Sequence, residues 1–155
     1  MCGIFGYSGS KNASEVILAG LKRLEYRGYD SWGIAILADQ IKVQKQIGAI
    51  GDINLDSRLL TLDSHVGIGH TRWGTNGAIT ENNAHPHFSS DKSFALAQNG
   101  IVENYQQLKT ELSKKGYKFE TETDTEVIVR LIEDKLASHI GSGNVNLKEA
   151  VREAF

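Results

Sequence analysis

The sequence has one cysteine, one proline and one methionine in 155 residues. A single cysteine excludes an internal disulfide and leaves the thiol free for chemistry, which suits a reducing cytoplasm. No apolar run approaches the roughly 18 residues of a membrane helix, and no charged segment leading into an apolar stretch marks a signal peptide. The Met1-Cys2-Gly3 start lacks the Met-Gly beginning that myristoylation requires. Charge of one sign is not in excess either. The net charge is -2, and basic residues are scattered apart from short pairs such as Lys114-Lys115, so nucleic acid and anionic membranes are not expected as partners. No internal repeat or low-complexity segment is visible. What remains, 40% hydrophobic and 23% charged, is the composition of one globular domain with a real core.

The lone cysteine stands at position 2, where removal of Met1 would make it the amino-terminal residue. A thiol titrates near pH 8.5 and an α-amine at about 7.7 to 8.0, so close to neutrality the free amine can take the thiol's proton. That is the logic of an amino-terminal nucleophile, whose own amine serves as general base. A lone cysteine is more commonly a small hydrophobe in a buried strand, and position alone does not decide between the two.

Hydrophobic spacing predicts a strand at Ile4 to Tyr7 and a helix from Ala13 to Leu24, with Val16, Ile17, Leu21 and Leu24 on one face. Gly33 to Leu37 and Ile41 to Ile47 read as strands able to pair across Ala38-Asp39-Gln40. The segment from Ile50 to Ser64 is weakly helical, and Val66 to Thr71 and Phe94 to Gln98 are further strands. Between them lies a long loop rich in Asn, His and Gly, of a length more often functional than idle. Asn104 is placed to cap a helix over Tyr105 to Lys115, Thr123 or Asp124 another over Thr125 to Ala137, and Asn146 a last one.

Polar residues gather at Arg27 to Ser31, Arg72 to Gly77, Asn99-Gly100 and Thr121 to Asp124, each at the end of an expected strand or the start of a helix. Attack of Cys2 on an amide would build negative charge on oxygen, and the Asn99 side chain with the Gly100 N–H offers two adjacent donors for it. By itself Asn-Gly after a strand is more often a turn. Arg72 can clamp a carboxylate in a bidentate fork with Thr75 as a supplementary donor, and Asp124 can hold an ammonium group. Together they would recognise an α-amino acid head group. A surface ion pair and a helix cap explain Arg72 and Asp124 equally well. His85 and His87 flank Pro86, but two histidines without a Cys or carboxylate partner make a poor metal site, so they read as loop structure. Gly67-Ile68-Gly69 lacks the rest of a phosphate loop and reads as close packing.

Cys2-Gly3-Ile4, the string Leu24 to Ser31 (Leu-Glu-Tyr-Arg-Gly-Tyr-Asp-Ser), Gly69-His70-Thr71-Arg72-Trp73, Asn82 to His87 (Asn-Asn-Ala-His-Pro-His), Asn99 to Asn104 (Asn-Gly-Ile-Val-Glu-Asn) and Glu122-Thr123-Asp124-Thr125-Glu126 occur in that order. Taken together they resemble the class II glutamine amidotransferases. The Glu-Tyr-Arg-Gly-Tyr-Asp-Ser string resembles in particular the amino-terminal glutaminase domain of the glutamine–fructose-6-phosphate aminotransferase family. The resemblance implies an α+β amino-terminal nucleophile hydrolase, a four-layer αββα sandwich cut short at its C-terminal end. Residues 1–155 would be the glutaminase domain without the sugar-isomerase half, so fructose 6-phosphate would be reached only through that absent half.

What the resemblance implies for the chemistry is thioester-mediated hydrolysis of the L-glutamine side-chain amide, supplying ammonia for glucosamine 6-phosphate, without metal or cofactor. Cys2 would be the nucleophile and Asn99 and Gly100 the oxyanion hole. Arg72 and Thr75 would bind the glutamine α-carboxylate, Asp124 and Gly100 its amine, Arg27 and Gly28 would surround the nucleophile, and Trp73 would lie on a closing loop. Where the family usually reads Thr-Arg-Trp-Ala-Thr-His-Gly, this chain has Asn76 in place of the histidine, which implies weaker glutamine binding. Two alternatives remain: a silent glutamine-binding fragment, and a glutaminase subunit serving another acceptor with a partner chain.

Overall fold

The computed structural model describes residues 1–51, 57–74, 77–140 and 146–155. Strands β1 (Gly3–Ser8), β2 (Ser31–Leu37), β3 (Ile41–Ile47) and β4 (Val66–Arg72) form an antiparallel sheet in the order β1-β4-β2-β3. Helix α1 (Ala13–Leu24) covers one face of it. The period of two along a strand dictates which side chains meet α1. Phe5 and Tyr7 of β1 and Trp32, Ile34 and Ile36 of β2 share that face and pack with Ile17 and Leu21 of the helix into an apolar core. On β4 the same face carries Gly67, Gly69 and Thr71, and a Cβ at Gly69 would lie 2.5 Å from Ile17 and 2.7 Å from Leu21. Gly67 and Gly69 therefore let α1 sit directly on the sheet.

The start of α1 follows from one side chain. Asn12 Oδ1 accepts the N–H groups of Ser14 and Glu15, while its Nδ2 donates to the carbonyls of Leu60 and Leu62. The cap thus ties the helix to the segment after the short helix α2 (Ser57–Leu60).

The opposite face of the sheet is covered by a second layer, the two-residue strands β5 (His87–Phe88) and β6 (Ala95–Leu96) and the loop that leads into them. Beneath these lies α4 (Asp124–Ile140), flanked by α3 (Tyr105–Lys114) and α5 (Leu147–Ala154). A second apolar cluster holds this half, with Phe94 against Ile128, Val129 and Ile132 of α4 and Ala150 of α5. The layer order is helix, sheet, sheet, helix. No helix among the described residues is long and apolar enough to cross a membrane.

Several sequence expectations need correction. The strand expected over Phe94 to Gln98 is only Ala95–Leu96, and β5 arises inside what read as loop. β6 lies inside the expected strand, whereas β5, two residues long, has no periodicity to show. Asn104 precedes α3 but its side chain makes no cap bond. The Thr123 hydroxyl is bonded to His87 and Thr121, and Asp124 Oδ2 accepts the Val102 N–H, so both side chains tie α4 to neighbouring segments. Asn146 does cap α5, accepting from Lys148 and Glu149.

Candidate active site

Register places the first elements of the site. Gly3 pairs with Thr71 and Ile4 with His70, so Cys2 lies one step beyond the ladder, beside the end of β4. Alternation along β4 turns Thr71 toward α1 and puts His70 and Arg72 on the other face, toward the second layer. A cleft of about 600 Å³ opens there, lined by Cys2, Arg27, Arg72 and Trp73 from the first layer and by Asn99, Gly100 and Asp124 from the second. Seven of the ten residues expected from sequence are thus in one cavity.

The thiol sits against the β4 end, where Cys2 Sγ accepts the Trp73 N–H at 3.2 Å and lies 3.5 Å from the Trp73 carbonyl. Arg27 Nε donates to the Cys2 carbonyl at 3.2 Å, and Asn99 Nδ2 donates to the same oxygen at 3.1 Å. The amide expected to form an oxyanion hole is therefore beside Cys2 although 97 residues away in sequence. The Gly100 N–H donates to no described residue. Gly28 does not line the cleft. It lies behind it, where a Cβ would come within 2.6 Å of the Arg72 backbone, so its contribution is to let the β4 end pack closely.

Arg72 is buried, and its guanidinium donates to the carbonyls of Ala78 at 3.1 Å and Gly77 at 3.3 Å. Burial lowers its pKa from the usual arginine value, opposed by the nearby Cys2, Asp30 and Glu122. The loop it holds is pinned by other groups as well. Ala78 N–H donates to Glu122, Asn83 bridges the Ala78 carbonyl and Glu122, and Gly74 N–H donates to Asp30 at 2.8 Å. Trp73 is partly exposed and packs edge-on to Tyr29. Thr75 and Asn76 lie outside the described residues.

Asp124 opens α4 and is buried, with Oδ2 held by Val102 N–H at 2.8 Å. The segment before it is anchored by Glu126, which accepts from the backbone of Glu120 and Thr121 and from the Thr121 hydroxyl. Glu126 is itself paired with Arg130 at 3.0 Å, and Arg130 also reaches Glu133, Ser90 and the Lys118 carbonyl. This buried ionic network was not expected, though the i, i+4 spacing of Glu126 and Arg130 was its sequence signal.

The histidines also differ from expectation. His70 stacks on His85 in the seam between the layers, with ring centroids 4.4 Å apart, and His87 meets His85 edge-on at 4.7 Å. Each ring has its own partner: His70 Nε2 meets Asn99 Oδ1 at 2.9 Å, His85 Nδ1 accepts the Gln98 N–H at 3.4 Å, and His87 Nε2 meets the Thr123 hydroxyl at 2.9 Å. Burial lowers the pKa of His70 to about 4 and those of His85 and His87 further, with cationic neighbours adding to the effect. Burial therefore favours their uncharged forms at neutral pH, and among the described residues no group of three or more ligands is arranged to hold a metal.

Residues 38–140 match the glutamine amidotransferase domain family. The chain belongs to that family. Among curated relatives, the glutamine–fructose-6-phosphate aminotransferase (isomerizing) of Methanococcus maripaludis is 50% identical over 88% of this chain and 23% of its own length. Its counterparts from Thermus thermophilus and Pseudomonas aeruginosa are 48% and 46% identical over 100% and 99% of this chain, each over 25% of its own length. The chain of this glutamine amidotransferase domain therefore spans about a quarter of those relatives.

Among solved structures, the glutamine phosphoribosylpyrophosphate amidotransferase of B. subtilis superposes with a TM-score of 0.79 at 30% identity. It covers 99% of this chain and 32% of that one. A structure described as the allosteric regulatory enzyme of purine biosynthesis gives 0.81 at 29% identity, again over 99% of this chain and 32% of its own. The fold is that of the amino-terminal nucleophile hydrolases, as the sequence resemblance implied.

Proposed function

We propose that this amidotransferase domain, residues 1–155, hydrolyses the side-chain amide of L-glutamine through a thioester on Cys2. The observation that carries the reading is that the only thiol of the chain shares a cleft with the Asn99 amide, the Gly100 N–H, a buried arginine and a buried aspartate. With Met1 removed, the Cys2 amine takes the thiol proton as sulfur attacks the amide carbon. Asn99 Nδ2 and Gly100 N–H are the donors for the oxygen that becomes negative. Collapse of the adduct releases ammonia, which carries off a proton from the ammonium of Cys2. Water then cleaves the thioester to glutamate. Met1 is exposed.

Arg72 with its fixed charge suits the substrate carboxylate, and Asp124 the substrate amine. Arg27 fixes the Cys2 carbonyl, Trp73 flanks the thiol, and Thr75 and Asn76 are assigned to the carboxylate side of the pocket from sequence. The names of the curated relatives support fructose 6-phosphate as the final acceptor, to give glucosamine 6-phosphate, in parts of those proteins that this chain does not match.

The test is ammonia release from L-glutamine by the chain freed of Met1, together with intact mass after exposure to 6-diazo-5-oxo-norleucine. Turnover and a single adduct on Cys2 are expected. A processed chain that neither turns over nor is labelled would leave a silent glutamine-binding fragment as the reading.

A further inference from the structure

The Asn99 side chain is held on both sides, and its orientation can be settled from its partners. Its Nδ2 faces the Cys2 carbonyl at 3.1 Å, and a carbonyl can only accept. The NH2 end must therefore point to Cys2 and the oxygen end away from it. That oxygen lies 2.9 Å from His70 Nε2, so the imidazole must be the donor and carry its proton on Nε2. Because an amide NH2 has two hydrogens and the Cys2 carbonyl takes one, the second is left for the cleft.

We propose that His70 is a positioning residue of the oxyanion hole, donating from Nε2–H to Asn99 Oδ1 so that the free Nδ2 hydrogen stays aimed at the reacting oxygen. The inference rests on the glutaminase reading and extends it to a residue that does not touch the reacting atoms. His70 is suited to the task because it cannot readily move. It is buried on β4, the strand that also carries Arg72, and its ring stacks on His85 at 4.4 Å. His85 in turn accepts the backbone N–H of Gln98, the residue before Asn99. One imidazole thus orients the Asn99 side chain while its neighbour holds the backbone that bears it. The Thr125 hydroxyl completes the frame by donating to Gln98 Oε1 at 3.1 Å. Burial favours the uncharged ring at neutral pH, which keeps an extra positive charge out of the seam.

The test has one arm that needs no activity and one that does. In the full chain at pH 7, long-range proton–nitrogen correlation of the His70 ring is expected to show a neutral ring protonated on Nε2. An Nδ1-protonated or cationic ring would overturn the proposal whether or not the chain hydrolyses glutamine. In the kinetic arm, His70→Phe keeps a flat ring on His85 but removes the donor. It is expected to lower kcat for ammonia release by about 10- to 100-fold while KM for glutamine stays within about twofold. His70→Gln, which can place an N–H near the same point, is expected to recover most of the loss. In the Asn99→Ala background His70→Phe is expected to cost nothing more, because the donor it orients is already gone. A further loss there, or no rescue by Gln, would assign His70 a general structural role. Absence of turnover in the native chain would instead overturn the glutaminase reading and leave the NMR arm to decide the tautomer.

Discussion

The two halves of the molecule are held together by different forces. In the β1 to β4 half with α1, apolar side chains at strand and helix periods interlock around Trp32, Ile34, Ile36, Ile17 and Leu21. In the α4 half, apolar packing is supplemented by buried polar groups, Glu126 with Arg130, Thr123 with His87, and Asp124 with the Val102 backbone. The cleft lies on the seam between them. The first half supplies the thiol proposed as nucleophile, next to a strand end where register fixes its position. The second supplies the Asn99 amide from a loop and Asp124 from the first turn of α4, and hydrogen bonds hold both. A site that needs both a fixed sulfur and several oriented polar groups is thus assembled from an apolar half and a polar half.

The comparison can be broken most completely at the sulfur. Cys2→Ala should reduce ammonia release by about 10⁴-fold or more with little change in the thermal midpoint, since the nucleophile is lost but no core contact is. Next in size is the polar half itself. Glu126→Ala leaves Arg130 paired only with Glu133 and removes the acceptor of the Glu120 and Thr121 N–H groups, and should cost about 3 to 5 kcal/mol in denaturant unfolding. Leu21→Ala in the apolar half should cost about 2 to 5 kcal/mol by cavity formation. The two should separate in kinetics, because Glu126→Ala disturbs the segment leading to Asp124 and so raises KM at temperatures where the protein is still folded. Leu21→Ala should leave KM unchanged.

Asn99→Ala should lower kcat by about 10² to 10³-fold, equivalent to about 2.7 to 4 kcal/mol, the usual consequence of losing one oxyanion donor. The smallest effect per step comes from pH. His70, His85 and His87 all have folded pKa values below the ordinary 6.5, that of His70 about 4. Between those values the unfolded chain binds more protons than the folded one. Stability is therefore fully present above pH 6.5 and is lost as pH falls toward 4, by up to about 1.4 kcal/mol per pH unit for each ring. His87→Gln should remove one ring's share of that slope, measured by denaturation midpoints across the same range. An unchanged slope would mean the rings are not excluded from protonation in the fold.

The apolar half was the more legible from sequence. Helix α1 was expected over the residues it occupies, because Val16, Ile17, Leu21 and Leu24 repeat at helical spacing; its Asn12 cap came only with the structure. Strands β2 and β3 and their connection were equally readable. In the polar half α4 and α5 were found and β6 fell inside an expected strand of greater length, but β5 was missed, because its two residues carry no pattern. His70 stood in a quoted motif without a role, since nothing along the chain says which face of β4 it occupies or that Asn99 comes to meet it.

The sequence by itself determined the chemical inventory: a single thiol next to the start, an amide with a glycine after it, an arginine at a strand end and an aspartate at a helix start. It also determined the elements that carry them, because periodicity is local. Only the tertiary structure decided which of these groups meet. The pairing of Gly3 with Thr71 sets Cys2 beside Trp73, and a bond across 97 residues sets Asn99 against Cys2. It also decided which ends of the Asn99 amide and the His70 ring do the work. Those choices depend on strand register and on burial of polar groups away from water. Both are properties of the packed layers rather than of any segment of the chain.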